Sequence, residues 1–172
     1  PNDIQSIQLH PKGNPTYPPV YRLDSQQKLV LSFDYLNEQN HQFRIEVSHR
    51  TKNWQKSSIG PSTYLDSFFQ TYITNSQQSF GQRPTYQRVE YEFPNSELQP
   101  AVSGNYLLQV YSYNGNKLLF SMPFFVTEDK GQIDTRVEPL LPQRADGRPF
   151  HQLFSSYQYP GTVEFPQFDL SI

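Results

Sequence analysis

Residues 103–126, SGNYLLQVYSYNGNKLLFSMPFFV, decide the fold class. Tyr106, Leu108 and Val110 recur at every second position, so one face of an extended strand enters a core while Asn105 and Gln109 face outward. Asn114-Gly115-Asn116 then supplies the positive φ angles that a tight reversal needs. Two long antiparallel strands joined by a short turn are predicted, and the class is all-β.

The lead-in Ser103-Gly104-Asn105-Tyr106 is similar to the entry into strand F of immunoglobulin-like sandwiches, where a tyrosine locks the corner before the strand. Antibody-type domains place a cysteine two residues later, and here that place holds Leu108. A sandwich built from this chain is therefore expected to be held by packing alone.

Composition points the same way. Aromatic residues make up 15% of the 172, with 12 Tyr and 13 Phe, and 15 Pro punctuate the chain, a usage that favours strands and turns over helices. The 14 basic and 16 acidic residues are interspersed and give a formal charge of -2, so no electrostatic footprint for nucleic acid or an anionic membrane surface is present. The lack of cysteine excludes disulfides, thiolate catalysis and Cys-based zinc sites, while leaving the compartment open. No apolar run approaches the roughly 20 residues that span a bilayer, so direct membrane insertion is not expected, and no signal-peptide core precedes Pro1. The abrupt start at Pro1 suits a mature or trimmed product.

Along the chain, Ile4, Ile7 and Leu9 precede the breaker cluster Pro11-Lys12-Gly13-Asn14-Pro15, which suits an edge strand interrupted by a bulge or turn. Leu29, Leu31, Phe33 and Tyr35 alternate with Lys28, Ser32 and Asp34. After a turn at residues 37–40, Phe43, Ile45, Val47 and His49 alternate with Arg44, Glu46, Ser48 and Arg50, and these three runs are read as strands A, B and C. Between Thr51 and Pro84 the alternation fades into a long polar and aromatic excursion. Val89, Tyr91 and Phe93 resume it, and the strand count then suits two packed antiparallel sheets.

A boundary is expected at the charged turn Thr127-Glu128-Asp129-Lys130-Gly131. Residues 1–130 form the immunoglobulin-like antiparallel sandwich. Residues 131–172 are read as a linker and the truncated start of a second β domain, with one strand around 151–159 and another beginning near Phe168.

Catalytic constellations are not apparent. Histidines 10, 41, 49 and 151 are scattered, and Glu90 and Glu92 beside Arg88 read as a solvated charged face. There is no Gly-x-Ser-x-Gly, Gly-rich phosphate loop or His-Glu-x-x-His, and Pro15 disqualifies Asn14-Pro15-Thr16 as a glycosylation site. Neither a cofactor nor a metal is called for.

The excursion's aromatics, Trp54, Tyr64, Phe68, Phe69 and Tyr72, lie outside the alternating strands and are the candidate partner-binding residues. Their alternative is a loop folded over the sandwich end, the favoured reading for Trp54 and Tyr64. Phe68 and Phe69 are evenly balanced, because neighbours in extended chain point opposite ways.

The order of segments carries a family resemblance. Asn14-Pro15, Arg22-Leu23, Leu31-Ser32-Phe33-Asp34, His49, Asn53-Trp54, Tyr64-Leu65-Asp66, Phe93-Pro94-Asn95 and Ser103-Gly104-Asn105-Tyr106 stand in the order and spacing of the type IX secretion system plug protein family of Bacteroidota, over roughly residues 4–126. In that family a cysteine often follows the place of His49, and this chain has Arg50. Tyr159-Pro160-Gly161 is similar to a strand end in the family's second β domain. The resemblance implies a non-enzymatic periplasmic protein, associated with the outer membrane, that binds the outer-membrane translocon barrel of the type IX secretion system and occludes its periplasmic opening. The alternative from the residues is a carbohydrate-binding or accessory immunoglobulin-like module of a surface glycan-processing protein, which predicts a shallow platform of coplanar exposed aromatics.

Overall fold

The structure is a computed structural model that describes residues 3–37, 41–74, 76–79, 85–113, 117–140 and 150–164. By internal contacts the chain divides into two units, Pro1–Glu128 and Asp129–Ile172.

The first unit is a two-sheet antiparallel sandwich. One sheet contains β1 (Ile4–Pro11), β3 (Leu29–Tyr35), β7 (Gln87–Phe93) and β6 (Ser76–Gln78), in the order β1-β3-β7-β6. The other runs β2 (Val20–Arg22), β9 (Leu118–Thr127), β8 (Gly104–Ser112), β4 (Phe43–Arg50) and β5 (Gln70–Ile73), in the order β2-β9-β8-β4-β5. These orders correspond to the A-B-E-D and G-F-C arrangement of immunoglobulin-like domains. The first strand is divided: β1 lies on one sheet, and β2 pairs in parallel with β9 on the other.

Alternation places the core as read. In β3, Leu29, Leu31 and Phe33 are buried; in β4, Phe43, Ile45 and Val47; in β8, Tyr106, Leu108 and Val110. Rings from the two sheets meet edge to face, Phe33 against Phe43 at 5.0 Å between centroids and Phe93 against Phe124 at 5.3 Å. Upstream of the breaker cluster at residues 11–15, β1 is bulged between Gln5 and Gln8, where Ser6 takes a φ of 53° and the register against β3 shifts. Ser32, read as an outward residue of β3, is instead buried.

Residues 51–84 are not one long loop. They contain α1 (Pro61–Tyr64), β5 and β6, so Tyr72 lies within a strand rather than outside one. Both strands are short and polar: β5 buries Thr71 and Ile73 while Gln70 and Tyr72 stay more open, an alternation too brief and too polar to register as a pattern.

The tyrosine before Leu108 makes the corner. Tyr106 is fully buried, and its hydroxyl lies 2.8 Å from Val102 O and 3.1 Å from Tyr64 O, sharing one proton between two carbonyls. Two residues earlier, Gly104 has a φ of +140° and sits beneath the imidazole of His49, whose Nε2 would overlap any Cβ built there. Glycine is required on both counts.

In the second unit, β10 (Gln132–Leu140) pairs antiparallel with β11 (Phe150–Gln158). β10 was unexpected, and β11 matches the strand read around 151–159. Ile133, Val137 and Leu153 are exposed. The turns read at residues 37–40 and 114–116 lie wholly or partly outside the described residues, as does the strand read from Phe168.

Burial pushes the Tyr106 phenol strongly up, outweighing the opposing Val102 hydrogen bond. Tyr64 and Tyr91 are raised by the same desolvation. A raised acid keeps its proton in the folded state after the unfolded chain has lost it, so stability holds below the ordinary phenol value of about 10 and falls as pH rises above it. Tyr106→Phe leaves Val102 O without its donor and is expected to cost about 1–3 kcal/mol at neutral pH, read as a lower urea midpoint at unchanged m. The same variant should show a shallower stability loss above pH ~10. Gly104→Ala should cost about 1–3 kcal/mol from backbone strain alone. Combining it with His49→Ala should return part of its further loss in a double-mutant cycle; strict additivity would mean that the ring does not press on this position.

Candidate functional site

The site is set by how one strand edge is covered. β5 pairs with β4 from Phe43 to Glu46, and the Val47 amide then donates to Phe69 O at 3.0 Å. Farther along, the Ser57 amide donates to His49 O at 3.2 Å, and Arg50 bridges to Lys56. The edge of β4 is thus covered by two separate pieces of chain, with Ser48 at the junction. Beside it opens a cavity of about 330 Å³, lined by Ser48, Arg50, Lys56, Ile59, Tyr64 and Phe69 among others.

The outer face of β4 is polar. Arg44 stands level with Tyr72 on β5 and Tyr111 on β8; its guanidinium lies 4.8 Å from the Tyr111 ring centroid and 3.1 Å from a Glu46 carboxylate oxygen. Ser48 Oγ and the Nε atoms of Arg44 and Arg50 are buried without a hydrogen-bond partner. Desolvation raises the Tyr111 phenol, with Glu46 reinforcing the shift and Arg44 and Arg50 opposing it.

His49 plays a packing part. Its ring meets Tyr106 edge to face at 5.2 Å, and Nε2 lies 3.4 Å from Ser103 O. Among the described residues lining the cavity, Glu46 is the carboxylate, already engaged by Arg44. No group of three His, Asp or Glu side chains that could hold a metal is found among the described residues. The described lining sets the cations Arg50 and Lys56 and the Ser48 hydroxyl beside the apolar Ile59, Pro61 and Phe69.

The five candidate aromatics separate. Tyr64 is buried and donates from its hydroxyl to Val47 O at 3.3 Å, so its ring belongs to the wall of the sandwich. Trp54 is 39% exposed, more open than the folded-over reading expected, and packs edge to face on Phe125 at 5.7 Å. It holds a φ of 61°, a left-handed conformation that costs a bulky residue about 1–2 kcal/mol. Phe68 is 71% and Phe69 49% exposed. Tyr72 is exposed and packs against Tyr113 at 5.4 Å.

Trp54 and Tyr72 mark opposite ends of the face. Phe125, beneath Trp54, is level with Asn105 and Arg50, whereas Tyr72 is level with Arg44. Six strand positions at ~3.4 Å each separate those levels by ~20 Å. Both exposed pairs are steeply crossed, at 75° and 74°, and neither forms the coplanar platform a sugar ring stacks on.

Sequence reasoning missed Phe125, Tyr113 and the Arg50–Lys56 pairing. Phe125 had a signal: in Phe124-Phe125 one ring must face outward if the other enters the core. Arg50 and Lys56 had none, because only the reversal at residues 51–55 brings them together. That reversal is closed by Thr51 N to Gln55 O at 2.9 Å.

No transmembrane-length apolar helix occurs among the described residues, which leaves strand-borne membrane crossing untouched. A family model described as the type 9 secretion system plug protein 1st domain matches residues 4–128. Among solved structures, the crystal structure of a hypothetical protein from Parabacteroides merdae superimposes with a TM-score of 0.86 at 24% identity, covering 98% of this chain and 43% of that one. This likeness is one of fold, and the chain spans less than half of that protein. An alkylpurine DNA glycosylase from Pseudomonas fluorescens, bound to DNA containing an abasic site analogue, aligns at a TM-score of 0.41 and 10% identity over 72% of this chain and 30% of its own, which carries no argument. No curated protein matches the chain.

Trp54 is the chain's single tryptophan, so fluorescence reports on one end of this face. Iodide should quench the native protein substantially, and Phe125→Ala should shift the native emission while leaving the unfolded spectrum unchanged. A native signal inaccessible to iodide would mean that the indole is enclosed.

Proposed function

The chain belongs to the type 9 secretion system plug protein family, through that family's first domain, and on that premise we propose a non-enzymatic periplasmic protein that binds the outer-membrane translocon barrel and occludes its periplasmic opening. The observation that carries this reading is the family match across 4–128, which takes in every strand of the sandwich. Physical features support it. A sandwich with a closely packed core offers a fixed shape to a barrel rim, and a formal charge of -2 spread over mixed residues avoids a strong single-sign field in the path of charged cargo.

Within this reading, Trp54, Phe68, Phe69 and Tyr72 contact the translocon, since large rings left open on a folded surface supply contact area at little entropic cost. Tyr64 acts by fixing the connection that carries them. The β10–β11 hairpin, with Ile133, Val137 and Leu153 exposed, forms part of a second β domain. The glycan-binding alternative loses support from the crossed geometry of the two exposed ring pairs.

Two measurements test the proposal. Isolating the translocon with and without the full-length protein should give a closed periplasmic mouth only when the protein is present; closure unaffected by deletion would sink the plug reading. In the full-length protein, Phe68→Ala combined with Tyr72→Ala should lower translocon co-purification at least about tenfold, the equivalent of ~1.4 kcal/mol, while the fold persists. Unchanged co-purification would remove these rings from the contact.

A further inference from the structure

We infer that the cavity between β4 and residues 56–69 is a docking pocket for an acidic segment of a partner protein, taking one carboxylate between Arg50 and Lys56 and an adjoining apolar side chain against Ile59, Pro61 and Phe69. The charges argue for the carboxylate. Glu46 is engaged by Arg44 at 3.1 Å, whereas neither Arg50 nor Lys56 takes part in an ion pair among the described residues. Two cations of the lining thus stand outside any ion pair among the described residues, and an incoming carboxylate restores the balance.

Unmet hydrogen bonds argue for the same ligand. Ser48 Oγ and Arg50 Nε are both buried and unpartnered, and both lie on the cavity's lining residues. Buried polar atoms left in this state cost free energy until something pairs with them. A hydroxyl and a guanidinium N–H are donors that a carboxylate, with two acceptor oxygens, satisfies together.

The apolar part of the lining argues for the apolar neighbour. Ile59 and Phe69 remain 37% and 49% exposed, and Pro61 opens the short helix whose last residue, Tyr64, closes the cavity floor by its bond to Val47 O. A volume of about 330 Å³ suits the side chains of one or two residues rather than a whole domain. The pocket therefore reads a local feature of a partner's surface. The inference stands apart from the translocon reading, because its test uses peptide alone.

The full chain, labelled with ¹⁵N, is titrated with the N-acetylated, C-amidated dipeptide Phe–Glu and, in parallel, with Phe–Gln, sodium acetate and inorganic phosphate. With Phe–Glu, amide shifts should concentrate at residues 46–50 and 56–69 and saturate in the millimolar range. Phe–Gln should need at least about tenfold more, because it lacks the charge that strengthens the hydrogen bonds. Arg50→Gln and Lys56→Gln should each weaken Phe–Glu binding, with spectra unchanged elsewhere as the control for folding; Lys56, exposed and outside the named strands, is the variant least able to disturb the sandwich. Equal binding of Phe–Gln, shifts centred elsewhere, or affinity indifferent to Lys56→Gln would overturn the proposal. Acetate or phosphate saturating the same amides at the concentration of Phe–Glu would overturn it too, showing an unselective anion patch.

Discussion

The Tyr106 hydroxyl holds the first unit together at the point where sequence-distant parts meet. Its shared proton joins Val102 O, in the turn leading into β8, to Tyr64 O, at the end of the short helix forty-two residues earlier. Further bonds stitch the same seam: the Ala101 amide donates to Tyr64 O at 2.9 Å, and the Asp66 amide to Gln99 O at 2.9 Å. Tyr64 passes the constraint to β4 through its own hydroxyl on Val47 O. With no cysteine at position 108, this network and the crossed rings between sheets do what an inter-sheet disulfide does elsewhere. An entropic restraint on the unfolded chain is replaced by packing and hydrogen bonds in the folded one.

That seam also explains how an aromatic, polar connection can be both part of the core and a surface for recognition. Tyr64 and Leu65 are buried against the sandwich, and Phe68 and Phe69, a few residues on, project outward on a backbone already fixed at both sides. Side chains on a fixed backbone lose less freedom when they bind than those on a free loop. The same rigidity keeps Ser48 and Arg50 beside the cavity, with their donors unmet.

The sequence made the sandwich legible where strands are long and one face is apolar. β3, β4, β7, β8 and most of β9 declare themselves through alternation, and the tyrosine of the corner is visible from Gly104 and Leu108 on either side of it. β2, β5 and β6 do not, since three or four residues with at most two buried positions carry no period, and β2 is placed by its parallel pairing to β9. β10 does carry the period, with Ile133, Thr135 and Val137 between Asp134, Arg136 and Glu138, but the run is short and Pro139 near its end reads as a breaker. The candidate rings were recognisable as a group, but their separation was not: the distance between Trp54 and Tyr72 depends on which end of β4 each connection returns to. The cavity was illegible because it arises from a change of pairing partner halfway along an edge, which is a property of topology rather than of any local motif.

The two-piece cover of β4 has a bearing on how the molecule behaves at high concentration. An eight-residue strand with three fully buried apolar residues, left open along its edge, would be a template for sheet growth between molecules. Here the edge is interrupted. β5 is four residues long with Gln70 and Tyr72 outward, and farther along the β4 edge the partner is Lys56, from an earlier part of the chain, in a single bridge to Arg50. A second molecule meets a short, polar and broken rim instead of a ladder of free amides. The same device that opens a pocket for a foreign carboxylate thus protects the protein from its own kind.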